Sequence, residues 1–395
     1  MAPTKPNPRA RKAKAKERAR AKKAAVNTRE LLANATAMLE VGDAEGAVKA
    51  ARAAYEHIGD GGQQAGAALT LLGQINIELG EIDRARKYLM SAAKVDEAGT
   101  LPEELGGGPD KFLWLAQLSE EGGQDSVSWY ERGAAVLRTQ IQTLGDALDS
   151  LPLTRHEQNA VIAEKRRKLA DTLCAVTEVY MTDLSWEEDA EQRCEALITE
   201  ATMLAPGLAD TWQTVANVRI SQSRTEEARE ALKRSLDFWI HLPPEDPGVP
   251  AFPTRVSLVR LLIEVGMEER AIEVAERLIS EDDQSVEAWY LGGYGRYMLG
   301  EKLKNGDQAS DSDDWQDIWR SARKRLAQCL RIFEAEEYED ERLREHSQEL
   351  LASINNELGD APDQGDDQAA WEDTEDEGDD DDDDDDDDDG DAEMQ

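Results

Sequence analysis

A recurrence at about 34 residues constrains this chain more than any other feature, because a fixed period of that length implies stacked supersecondary units rather than one closed core. Ala228, Leu232 and Ser235 follow the spacing small, large four residues on, small three further; Cys194, Ile198 and Ala201 repeat it 34 residues earlier. The block Trp212-x-x-Val215-Ala216 begins 16 residues before Ala228, and Pro206 closes the earlier unit. Gly266, framed by Leu258, Val259, Leu262, Ala271, Ala275 and Leu278, recurs 34 residues on as Gly300, with Trp289, Gly292 and Gly293 ahead of it.

That period and the helix-turn-helix patterning are those of tetratricopeptide repeats. Gly80, with Leu69, Leu72, Gly73, Ala85, Leu89 and Ala92, marks another unit, and Gly42 a weaker one with Leu31, Ala35, Ala47, Ala51 and Ala54. A degenerate unit runs from Trp114 to Ala135. The expected fold is all-α: a right-handed superhelical solenoid of about seven hairpins over residues 26–359, ending in a capping helix from Glu336 to Leu358. Small residues let helices approach, Trp212, Trp289, Leu232 and Leu326 fill the holes between units, and Gly42, Gly80, Gly266 and Gly300 supply left-handed turns after first helices.

Three segments break the regularity. Val136 to Leu151 and Arg155 to Asp183 read as helices longer than the repeat requires, separated by Leu151-Pro152-Leu153. His241 to Pro250, with four prolines, reads as an inter-unit loop. In the last unit Ala322, Leu326 and Cys329 resume the small-large-small spacing 17 residues late, which makes Lys304 to Gln316 an insertion carrying Asp307, Asp311, Asp313 and Asp314.

Charge divides the chain into three domains. Residues 1–25 form a basic arm with Lys5, Arg9, Arg11, Lys12, Lys14, Lys16, Arg18, Arg20, Lys22 and Lys23 against Glu17, the composition of a nuclear import signal or of an RNA contact. Residues 360–395 hold 22 acids and no Lys or Arg, and self-repulsion with few apolar residues predicts disorder. With +9 in the arm and −22 in the tail, the body keeps −27 of the total −40. Such a surface repels phosphate backbones and speeds association with basic proteins. The tail reads equally as a shield for a basic client or as a solubility device.

No apolar stretch approaches the ~18 residues of a membrane span, and no apolar segment follows the basic arm, so a soluble, unsecreted protein shuttling between nucleus and cytoplasm is expected. Neither a membrane nor, for the solenoid, nucleic acid is an expected partner; an import receptor and a monomeric state are.

Chemistry-bearing patterns are few. His57, His156, His241 and His346 are scattered, and Cys174, Cys194 and Cys329 occupy helical packing positions, so no metal, cofactor or catalytic residue is expected. Gly292-Gly293-Tyr294-Gly295 lies inside a helix and reads as close packing; Gly106-Gly107-Gly108-Pro109 reads as a linker.

The expected binding surface is the groove lined by the first helix of each unit. Its candidates are Thr70, Gln74 and Glu78, then Gln213 and Asn217, then Arg260 and Glu264, and finally Glu287, Tyr290, Tyr294 and Tyr297. Tyr290 and Tyr294, one turn apart, suit either a partner's basic side chains or packing between units. Leu32 and Thr36 stand where tetratricopeptide domains that clamp acidic chaperone tails carry Lys and Asn, which disfavours that ligand.

The degenerate repeats ending in Trp289-Tyr290-Leu291-Gly292-Gly293, joined to an acidic C-terminal stretch, resemble the dedicated assembly chaperones of large-subunit ribosomal protein L-four. The resemblance spans about Val26 to Asp389. It implies binding of a basic internal loop or extension of that protein until its incorporation into pre-ribosomes, with import of the complex into the nucleus. A histone-type acidic chaperone and a scaffold of a nuclear complex are the alternatives that composition leaves open.

Overall fold

The computed structural model describes residues 28–62, 64–146, 154–305 and 314–359. The arm from Arg9 to Lys23, the acidic tail, Leu151-Pro152-Leu153 and the inserted Asp307, Asp311 and Asp313 lie outside the described residues. Among the described residues every regular element is helical. The α-helices are α1 (28–40), α2 (Ala44–Ile58), α3 (Ala65–Glu78), α4 (Ile82–Val95), α5 (Asp110–Gln117), α6 (Gly123–Asp146), α7 (Arg155–Met181) and α8 (Ala190–Leu204). They continue as α9 (Ala209–Ser221), α10 (Thr225–Asp237), α11 (Phe252–Glu264), α12 (Glu268–Glu281), α13 (Val286–Asn305), α14 (Asp314–Ala335) and α15 (Glu341–Leu358).

From α3 to α14, consecutive helices pair as hairpins, and Ala35 of α1 shares a buried cluster with Ala47 and Ala51 of α2. Seven hairpins and a final helix therefore make up a helical solenoid, as the period predicts. The second helices show why they stack: in α12, Ala271, Val274, Ala275, Leu278 and Ile279 form one buried stripe at helical spacing. A fully buried leucine such as Leu278 or Leu232 contributes about 1.5–3 kcal/mol.

Gly80 and Gly266 hold the left-handed turns expected of them, with φ of 70° and 73°. Each amide donates to the carbonyl three residues back, Ile77 at 2.9 Å and Ile263 at 3.0 Å, so the two hairpins close by the same turn. The first helices of two units are also set alike: Trp212 Nε1 donates to Pro206 O at 2.9 Å and Trp289 Nε1 to Asp283 O at 2.8 Å. Arg234 and Arg325, from the following helices, lie over the two indoles.

Gly300 corrects its assignment. Helix α13 continues through it to Asn305, and a Cβ there would lie 2.3 Å from Trp319 Cδ1. The missing side chain admits an indole; it does not end the helix. Gly300→Ala is expected to lower the melting temperature, since overpacking of about 1–3 kcal/mol outweighs a helix-propensity gain of about 1 kcal/mol. Thermal unfolding followed by circular dichroism checks this.

The glycines at 106–108 are not a linker either. Gly106 presses on the first turn of α3, where a Cβ would lie 2.2 Å from the Ala67 amide nitrogen, and at Gly107 one would meet Leu101 O at 1.6 Å. The folded loop encloses Lys111, 1% exposed, whose ammonium donates to Asp96 Oδ2 at 2.9 Å and to the carbonyls of Gly106 and Gly108 at 3.0 and 3.3 Å. Asp96 also accepts from the Thr100 and Leu101 amides.

The loop from His241 to Pro250 is non-helical as expected, and it is pinned: Arg277 donates to Ile240 O and Leu242 O, and Arg255 to Pro250 O. The capping helix begins at Glu341, later than Glu336, because Glu337 takes a φ of 49° and Asp340 caps the Arg342 and Leu343 amides. The long helix expected from Val136 begins earlier, at Gly123. The insertion is narrower than Lys304 to Gln316, since α13 reaches Asn305 and Asp314 already belongs to α14.

Candidate binding groove

First helices α7, α9, α11 and α13, followed by α15, are successive neighbours. Thr154 fixes the start of this wall: its side chain accepts from the Glu157 amide while the Glu157 carboxylate accepts from the Thr154 amide at 2.7 Å. The bond from the Thr154 amide, with a second from the Thr154 hydroxyl at 2.8 Å, holds the Glu157 carboxyl below the usual range. From there α7 runs 27 residues, long enough to present a second face beyond its own hairpin contact.

A cavity of about 600 Å³ opens on this row. Helix α7 contributes Asp171, Cys174, Ala175 and Glu178, and α9 contributes Asp210, Gln213, Thr214 and Asn217. Both sets follow the offsets 0, 3, 4 and 7, one face of a helix. Thr254, Ser257 and Arg260 of α11 form the far wall.

The cavity is acidic: its lining carries three carboxylates against one cation, Arg260, which pairs with Glu287. Among the described residues no cation forms an ion pair with Asp171, Glu178 or Asp210. The Asp171 carboxyl reaches water at its tip, yet the surrounding walls replace much of the bulk solvent. That desolvation, with the nearby Asp210 charge, pushes it up to about 6 against the opposing pull of the Arg167 charge. Desolvation likewise raises Asp210 and Glu178. The Cys174 thiol is pushed to about 11, chiefly by burial, and stays protonated. Gln213, 6% exposed, keeps its Nε2 enclosed without an acceptor.

Gln213, Asn217 and Arg260, expected in the groove from their spacing, do come together here. Glu287 sits at the edge, paired with Arg260. Glu264 ends α11, exposed and away from the cavity lining, and Gln74 and Glu78 lie on α3, also outside it. The tyrosines belong to the packing reading. Tyr290 Oη lies 2.7 Å from His346 Nδ1, Tyr294 stacks on Tyr290 with centroids 5.9 Å apart, and Tyr297 stacks on Trp319 and reaches Ser353 Oγ at 3.0 Å. Their partners come from α14, the second helix of the same hairpin, and from α15, which occupies the place of a next unit; burial raises Tyr290 to about 12.

Asp171, Glu178 and Asp210 escaped the reading of spacing. Counting from repeat positions fails for the two on α7 because its length leaves the register undefined; Asp210, in the first turn of α9, was readable from its offsets to Gln213 and Asn217.

No described helix is long and apolar enough to cross a membrane, and no group of three or more His, Cys, Asp or Glu among the described residues can hold a metal ion.

Residues 66–98, the α3–α4 hairpin, match the tetratricopeptide repeat family model. A protein of Emericella nidulans named as a probable assembly chaperone of rpl4 is 44% identical over 357 residues, covering 89% of this chain and 86% of its own. One of the same name from Schizosaccharomyces pombe is 30% identical over 313 residues, covering 79% and 87%. The solved structure of an assembly chaperone of RpL4 (Acl4, residues 1–338) superposes with a TM-score of 0.68 at 74% identity, over 70% of this chain and 98% of that one. With seven hairpins among the described residues and relatives alike over most of their length, the chain belongs to the family of assembly chaperones of rpl4.

Proposed function

We propose that this protein binds a basic extension or internal loop of ribosomal protein L-four in the α7–α9–α11 groove and shields it until incorporation into the large subunit. The observation that carries the reading is a set of three carboxylates on one cavity, none of them held in an ion pair among the described residues, on a body of charge −27. A binding site that holds its own negative charges at a cost gains free energy when a cation enters. The protein acts by binding and release, without catalysis.

The acidic tail adds a second screen for basic surface, and the arm from Arg9 to Lys23 serves nuclear import, so that the protein shuttles as a monomer with its client. Titration calorimetry with purified ribosomal protein L-four tests the central reading. One-to-one binding is expected to weaken roughly ten-fold as salt rises from about 0.1 M to about 0.5 M. Binding that survives in full when the tail alone is kept, or that ignores salt, contradicts groove recognition.

A further inference from the structure

We infer that the groove reads the main chain of its client as well as its charge, so that the bound segment is extended: Gln213 and Asn217 pair with backbone amide groups while Asp171 and Asp210 receive a basic side chain. This rests on the proposed function and specifies the conformation of the ligand.

The acids alone do not require it; Gln213 does. Its side chain is enclosed, its Nε2 has no acceptor in the free protein, and it lines the same cavity as the acids. A buried amide donor left without a partner is costly, and natural structures rarely keep one idle. Lys and Arg side chains offer no acceptor, so a basic side chain cannot satisfy it. The abundant acceptor on any protein client is a backbone carbonyl.

A helical client segment has its interior carbonyls engaged four residues on, which leaves an extended segment as the source of free ones. Spacing agrees. Gln213 and Asn217 are one turn apart on α9, a rise of about 6 Å, and alternate residues of an extended chain are about 6.6 Å apart. Two side-chain amides on one helix face thus match carbonyl or amide groups two residues apart in a client strand. On such a strand the intervening side chain points the other way, so basic residues can reach Asp171 and Asp210 without disturbing the clamp.

Two substitutions in the full chain, titrated with purified ribosomal protein L-four, test this. Gln213→Met keeps the volume, leaves every carboxylate in place and removes the donor. It is expected to weaken binding about ten-fold while holding or raising the melting temperature of the free protein. Asn217→Asp adds a fourth carboxylate, so recognition by charge alone requires tighter binding, whereas the clamp requires weaker binding. The far-UV difference spectrum of the complex is expected to show no gain of helix. Unchanged affinity for Gln213→Met, tighter binding of Asn217→Asp, or helix gained on binding overturns the inference. With wild-type affinity intact and salt-sensitive, those results leave the proposed function standing; no binding by the wild type removes both.

Discussion

Replacing Lys111 by alanine is expected to destabilise the hairpins around it by about 3–5 kcal/mol, because Asp96, 5% exposed, then keeps a buried charge with no cation. The pair is enclosed on all sides by the loop from residue 96 to 109, and the ammonium also holds the carbonyls of Gly106 and Gly108. Losing it orphans three acceptors at once. The double variant Lys111→Met with Asp96→Asn is expected to recover much of the loss, since it removes the charge and still leaves an acceptor for the Thr100 and Leu101 amides. Thermal unfolding, with hydrogen exchange across residues 96–117, separates these outcomes. An exchange pattern in the single variant identical to wild type would show that the pair is dispensable.

The second large effect concerns the groove. Neutralising Asp171, Glu178 and Asp210 together, as Asn, Gln and Asn, is expected to reduce client affinity roughly a hundred-fold, on the order of 1 kcal/mol for each carboxylate. The free protein should be slightly more stable at neutral pH, by less than about 1 kcal/mol, because desolvation raises all three carboxyls and their ionised forms are disfavoured by the fold. The pH dependence follows with opposite signs for stability and binding. Asp171 titrates near 6 in the folded state against an ordinary 3.8. The stability it contributes is therefore fully present below 3.8 and lost as pH rises through 6. A bound cation favours the carboxylate, so client affinity runs the other way and falls as pH drops through 6. Between about pH 7.5 and about pH 5 the wild type should lose roughly ten-fold in affinity, and Asp171→Asn should lose less. Titrations in buffers of different ionisation enthalpy would detect the proton released on binding near pH 6.

Much of this architecture was legible because repeats advertise themselves. Gly80 and Gly266 recur with the turn they make, and the buried stripes of α8 and α10 carry the same small-large-small spacing. Gly300 shares the period yet does another job, since α13 outruns its counterparts and the glycine is needed for Trp319 instead. Gln213 and Asn217 were readable because α9 is a regular first helix. The three tyrosines of α13 lie on the expected face, but α15 covers it; the stripe through His346, Leu350 and Ser353 on that last helix was the available signal. Lys111 left no trace in hydropathy, because a lysine enclosed by carbonyls reads like any surface lysine. Only the preceding glycines hint at a backbone brought close.

The row of neighbouring first helices from α7 to α15 and the loop from 96 to 109, wedged between α4 and α5, divide the solenoid energetically. Stability in a stacked array is carried by nearest-neighbour interfaces. One buried cluster extends from Ala116 to Leu343, whereas α1, α2 and α3 share a smaller cluster and α4 shares another with α5 and α6. Thermal fluctuation can therefore open the N-terminal hairpins as a separate cooperative unit while the larger block stays shut. The cavity formed by α7, α9 and α11 therefore lies in the half expected to open last.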